Sequence, residues 1–104
     1  MDKIEKIKIE LENKHIGKAN KITSKQIAEI IGINEDATQA KTRALILECA
    51  RKYELPLAAD NRGYYLITSK DELNEYIKNL RSRIDGIEDR INLITENFNK
   101  RQKQ

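Results

Sequence analysis

The chain has 104 residues, which is enough for one compact domain and one extended element. Its 20 basic and 17 acidic residues leave a net charge of +3, so the placement of the charges matters more than their sum. The single cysteine excludes an intramolecular disulfide, and no apolar run approaches the roughly 18 residues of a membrane span. The N-terminal stretch lacks the apolar core of a signal peptide, so we expect a cytoplasmic protein in a reducing compartment.

A first helix is predicted from Met1 to about Asn13. Its apolar residues recur at i, i+3 and i+7 and therefore share one face: Ile4, Ile7 and Leu11. The segment from Lys14 to Lys21 follows as a loop, with Gly17 inside it.

Two more helices are predicted before Pro56. A T-x-x-Q capping box at Thr23 begins the second helix, and Gly32 ends it because glycine adopts the left-handed conformation at low cost. A third helix is expected to begin near Asp36 or Thr38, and Pro56 excludes its continuation. Residues at steps of three and four form a face of this helix that should be buried: Thr42, Leu45, Ile46, Cys49 and Tyr53.

Residues 57–68 have the pattern of a β-hairpin. Its strands are predicted at Leu57–Ala59 and Tyr64–Ile67, and the polar stretch Asp60–Gly63 supplies the turn. An S-x-x-E capping box at Ser69 then opens a last helix that runs to about Asn99. The predicted fold class is mainly α with a small β-hairpin (α+β), divided into residues 1–68 and 69–104.

A short helix, a turn with glycine, a second helix and a hairpin follow one another between Ile22 and Ile67. The stretches ITSKQIAEIIGI and TRALILECARKYELPLAADNRGYYLI resemble the helix-turn-helix and wing of small winged-helix modules in bacterial and bacteriophage regulatory and replication proteins. The resemblance covers about Met1 to Thr68. It implies that the third helix lies in the DNA major groove. Asn34–Gln39 is longer than the usual turn, which leaves the start of this recognition helix open.

The resemblance also implies a set of DNA-contacting residues. Arginine and glutamine side chains bond guanine and adenine bidentately, and a helix N-terminus offers its amides to a phosphate. The expected contacts are Lys21, Ser24, Lys25, Thr38, Gln39, Lys41, Thr42, Arg43 and Arg62, of which Arg62 lies at the hairpin tip. Four lysines and no acid lie between Asn13 and Ala28, and such a run either neutralises phosphates or keeps a surface loop solvated.

The last helix carries an unbroken heptad pattern. Its apolar residues are spaced four and three apart: Leu73, Ile77, Leu80, Ile84, Ile87, Ile91, Ile94 and Phe98. A helix roughly 40 Å long cannot lie wholly against so small a domain, so we expect a coiled coil with a second copy. The dimerisation residues are Leu80, Ile84, Ile87, Ile91, Ile94 and Phe98.

The sequence leaves the geometry of this pairing open. In a parallel pair Arg83 would face Glu88 of the second chain, whereas isoleucine at several d positions keeps antiparallel and higher-order assemblies possible. The alternative to self-association is that the last helix folds back on the first helix.

No residue pattern indicates catalysis, a cofactor or a metal. His15 is the only histidine and has no second ligand nearby, and Cys49 lies on an apolar face as a structural thiol would. We therefore expect a non-enzymatic, sequence-specific homodimer that binds double-stranded DNA in transcriptional or replication control. A phage or other mobile element is a fitting source. No cofactor, membrane contact or small-molecule substrate is expected.

The alternative is an adaptor whose winged domain and coiled coil bind a partner protein. The acids Glu35 and Asp36 at the entrance to the recognition helix favour it, and salt dependence would separate the two hypotheses.

Overall fold

A computed structural model describes residues 1–34 and 39–102 of the chain. These residues form four α-helices and an antiparallel hairpin of two strands, in the order α1 (Lys3–Lys14), α2 (Ser24–Ile31), α3 (Ala40–Tyr53), β1 (Leu57–Asp60), β2 (Gly63–Leu66) and α4 (Lys70–Gln102). The prediction of a mainly α chain with a small hairpin and a long last helix is confirmed. The chain divides into two compact units, Met1–Glu72 and Leu73–Gln104. No helix among the described residues is long and apolar enough to cross a membrane.

Side-chain caps explain where α1 and α2 begin, and a glycine explains where α2 ends. At the start of α1, Asp2 accepts a hydrogen bond of 2.8 Å from the amide of Glu5. The predicted capping box of α2 is confirmed, because the Thr23 hydroxyl accepts from the amide of Gln26 and the Gln26 side chain accepts from the amide of Thr23. Gly32 ends α2 in the left-handed conformation at φ 75°, as predicted.

Helix α3 carries the buried face that its spacing predicts. Thr42, Ile46 and Cys49 are fully buried, and Leu45 and Tyr53 are partly buried against the core. The predicted start near Asp36 or Thr38 lies outside the described residues. The helix ends at Tyr53, ahead of Pro56, with Glu54 in the left-handed conformation at φ 54°.

The core of the first unit lies between the three short helices and the hairpin. Its buried members are Ile7, Leu11, Ile22, Ile27, Ile31, Ile46, Cys49 and Leu66. Complete burial of an aliphatic side chain of this size contributes about 1.5–3 kcal/mol, so these residues supply most of the stabilisation of the unit.

The strands differ by one residue from their predicted bounds, since β1 ends at Asp60 rather than Ala59 and β2 spans Gly63–Leu66 rather than Tyr64–Ile67. Asp60 pairs with Gly63, so the turn is the two-residue Asn61–Arg62 rather than the predicted stretch Asp60–Gly63. Ile22 forms a further antiparallel bridge to Tyr64, with hydrogen bonds of 2.9 Å and 2.7 Å between their backbones. Part of the segment that precedes α2 is therefore bound to the hairpin.

Glu72 ties the start of α4 to the loop after α1. The Ser69 hydroxyl accepts from the amide of Glu72 at 3.1 Å, which is half of the predicted capping box. The Glu72 carboxylate accepts from the amides of Lys18 and Thr68, each at 3.0 Å. These two hydrogen bonds lower the pKa of Glu72, and the bond from the Lys18 amide has the larger effect.

Candidate nucleic-acid interface

Three elements of the first unit meet around a cleft of about 240 Å³. The N-terminus of α2, the first turn of α3 and the hairpin tip contribute its lining: Thr23, Ser24, Arg43, Ala59, Asp60, Asn61, Arg62, Gly63 and Tyr64. The fold thereby brings together Ser24, Arg43 and Arg62, three of the residues predicted to contact DNA. The first amides of α2 have no partner within the helix and give this end a partial positive charge.

Among the described residues of the lining, two arginines carry positive charge and the one acid is paired with a lysine. Arg43 and Arg62 are exposed, and within the described part of the chain neither guanidinium has an ion-pair partner. Asp60, the only acid among the described residues that line the cleft, accepts from Lys21 Nζ at 2.6 Å and from the amide of Arg62 at 2.8 Å. The Lys21 hydrogen bond is the main reason why the pKa of Asp60 is lowered.

The acid-free lysine run is partly neutralised by acids from elsewhere in the chain. Lys21 pairs with Asp60, and Lys14 Nζ lies 3.7 Å from Glu10 of α1. Lys25 in the first turn of α2 is exposed and stands near Gln39 on a smaller cleft. The local charge available to a ligand is therefore lower than the run suggests.

The remaining predicted contacts occupy different environments. Gln39 adopts the left-handed conformation at φ 45° ahead of α3, and its side-chain oxygen accepts from the Ser24 hydroxyl at 3.1 Å. Lys41 is exposed, whereas Thr42 is 0% exposed and belongs to the core. Thr38 lies outside the described residues. Of the third-helix candidates, Lys41 and Arg43 thus offer their side chains to the surface.

One surface residue of α3 was missed by sequence reasoning. Leu47 is 49% exposed and lies one helical turn beyond Arg43, on a face that continues to Arg51. The step of four from Arg43 to Leu47 to Arg51 was the available signal. Because an apolar side chain lies between two arginines, this face is both apolar and positively charged.

The second unit presents a continuous apolar face. The predicted dimerisation residues lie along one side of α4, and from Ile84 onward they are more than half exposed: Ile84 54%, Ile87 57%, Ile91 57%, Ile94 59% and Phe98 61%. Leu80 is 37% exposed. Leu93 is also 57% exposed but falls at a c position, away from the a and d residues.

The single histidine and the single cysteine are engaged in structural contacts. His15 lies between Glu10 Oε2 at 2.7 Å and the Asn20 carbonyl at 2.8 Å. The Cys49 thiol donates to the Ile4 carbonyl at 3.4 Å, and burial raises its pKa to about 11. Within residues 1–34 and 39–102, no group of three or more histidine, cysteine, aspartate or glutamate residues could hold a metal ion.

No protein-family model, no curated protein and no solved structure matches this chain.

Proposed function

We propose that the chain is a non-enzymatic, sequence-specific DNA-binding protein of the winged-helix type that acts as a homodimer in transcriptional or replication control. The observation that carries this proposal is the cleft where Arg43 and Arg62 meet the N-terminus of α2. Guanidinium groups bond phosphates and guanine bidentately, and a helix N-terminus favours an anion. A DNA backbone that crosses this cleft would meet all three.

The chain connections around the hairpin support a winged-helix arrangement. Helices α2 and α3 are consecutive, and the hairpin follows them directly. The bridge between Ile22 and Tyr64 adds the segment before α2 to the edge of the hairpin. In such an arrangement the second helix of the pair enters the major groove and the hairpin tip reaches the backbone.

The exposed residues of α2, α3 and the hairpin tip then have distinct roles in DNA binding. Lys41 and Arg43, in the first turn of α3, face base edges or the adjacent phosphates, and Arg62 contacts the backbone beside the groove. Leu47 provides an apolar surface for a thymine methyl group. Lys25 and the α2 amides hold a phosphate, whereas Lys21 acts indirectly because it neutralises Asp60.

The binding test is selection from random duplex DNA at low and moderate salt, with sequencing of the retained fraction. A shared motif with two-fold symmetry is the expected result, and the affinity should fall steeply as salt rises. The absence of retained DNA at both salt concentrations would contradict the proposal.

A matched pair of double variants tests the cleft itself. Arg43→Ala with Arg62→Ala should weaken binding at least about tenfold, because one good arginine contact is worth about 1–3 kcal/mol. Lys3→Ala with Lys6→Ala removes the same charge from α1, outside the cleft lining, and should retain most of the affinity. Equal losses in both variants would show a nonspecific charge effect.

The exposed face of α4 supports homodimerisation, since five large apolar side chains more than half exposed on one side of a helix are unusual without a partner. Ile91→Asp should give a folded monomer. Leu93→Asp is the control, because both side chains are 57% exposed but Leu93 lies off the apolar seam. Light scattering that gives the parental mass for Ile91→Asp would contradict pairing through this face.

A protein-binding adaptor is the second candidate. Two observations favour it: Leu47 is half exposed on α3, and Lys14 and Lys21 are paired with acids. Capture of a partner protein that resists moderate salt, together with no DNA retention, would support the adaptor because an apolar interface is insensitive to salt.

A further inference from the structure

Charged residues flank the apolar face of α4 in an asymmetric pattern. With Ile84 and Ile91 at a and Ile87 and Ile94 at d, the g positions include Arg83 and Arg90 and the e positions include Glu88. Within the described part of the chain, none of these three charged side chains has an ion-pair partner. Their charges are therefore available to a second helix.

A parallel, in-register partner pairs Arg83 with an opposite charge and brings no like charges together at these positions. In that geometry each g residue faces the e residue five positions later on the other chain. Arg83 then faces Glu88 of the second copy, and two-fold symmetry makes this ion pair twice. Arg90 faces Thr95 of the second copy, so the parallel pair contains no contact between like charges at these positions.

An antiparallel partner places like charges together. There g residues face g residues and e residues face e residues. In two antiparallel registers, every residue at an a or d position from Leu80 to Phe98 lies opposite an apolar residue of the second chain. One sets Arg83 against Arg83 and Glu88 against Glu88, and the other sets Arg83 against Arg90 twice. Neither register contains an ion pair of opposite charge at these positions, and like charges in contact select against both.

We propose that α4 pairs with α4 of a second copy of this chain in a parallel, in-register coiled coil. This inference rests on the proposed self-association and adds its orientation. In a parallel pair both N-terminal units connect to the same end of the coil, because each unit precedes its α4 in the chain. The two antiparallel registers would separate the two α4 starts by roughly 47 Å and roughly 57 Å, at 1.5 Å per residue.

Disulfide trapping distinguishes parallel from antiparallel pairing of the α4 helices. Phe98→Cys places a thiol at an a position near the end of α4, where a parallel pair sets it opposite its own copy. The parent chain is the control, since its only cysteine, Cys49, is buried. After oxidation in a glutathione buffer, a covalent dimer of Phe98→Cys is expected on a non-reducing gel, and none of the parent.

A mixture of two different cysteine variants tests the antiparallel orientation. In the antiparallel registers Phe98 faces Leu80 or Leu73, so Phe98→Cys would link to Leu80→Cys or Leu73→Cys chains and not to itself. Ile94→Cys, at a d position, repeats the self-linking test if Phe98→Cys weakens association. Self-linked dimers of either variant support the parallel coil, whereas mixed disulfides without self-linked dimers overturn it and leave self-association intact. A monomeric mass for the parent protein by light scattering would overturn both.

Discussion

Of the three glycines in the first unit, Gly63 is the one where the fold tolerates a side chain least. It adopts φ +142°, a conformation that residues with a side chain rarely adopt. A Cβ atom built there would stand 2.5 Å from the Ile22 carbonyl oxygen and 2.8 Å from its carbon, both of them backbone atoms. Gly63→Ala must therefore displace the segment that pairs with the hairpin.

The loss in free energy of unfolding expected for Gly63→Ala has two contributions. The backbone conformation costs about 1–3 kcal/mol for a residue other than glycine. Displacement of Ile22 weakens its two backbone hydrogen bonds to Tyr64, of 2.9 Å and 2.7 Å, at about 1 kcal/mol each. We expect Gly63→Ala to lower the free energy of unfolding by about 3–5 kcal/mol, a large share of the roughly 5–15 kcal/mol typical of a small domain.

Two other glycines provide graded controls. Gly32 also has positive φ, at +75°, but nothing lies within 4 Å of a Cβ there, so Gly32→Ala should cost only about 1 kcal/mol. Gly86 lies inside α4 with open space around it, and Gly86→Ala should stabilise that helix by about 1 kcal/mol.

Urea denaturation separates these effects when the two units are followed by different signals. Tyrosine fluorescence reports mainly on the first unit, which holds Tyr53, Tyr64 and Tyr65, and circular dichroism at 222 nm reports strongly on α4. A Gly63→Ala variant that loses no more stability than Gly32→Ala would refute the steric argument.

Two further predictions concern titratable groups. The Lys21 hydrogen bond holds the pKa of Asp60 below its ordinary value of 3.8, so its stabilising contribution is present above that pH and is lost as pH falls through the lowered pKa. Asp60→Asn should therefore be less stable than the parent at pH 7 in urea denaturation and equal to it at low pH; a constant difference would contradict this role. The Cys49 thiol, with its pKa raised to about 11, should react with iodoacetamide at pH 8 only after urea unfolds the protein. Rapid labelling in native buffer would contradict its burial.

Local signals in the sequence were sufficient for both ends of α2. The Thr23 capping box and the left-handed Gly32 were predicted because both depend on residues within one helical turn. The apolar seam of α4 and the charges beside it are likewise readable from spacing alone, since a regular helix converts sequence intervals into faces.

The electrostatics of the cleft could not be obtained in this way. Lys21 and Asp60 are 39 residues apart, so no local pattern links them. Their contact exists because the segment before α2 pairs with the hairpin, as the Ile22–Tyr64 bridge shows. Which lysines remain available to a ligand depends on which acids the packed chain brings within hydrogen-bond distance, and that selection arises from the packing of distant segments.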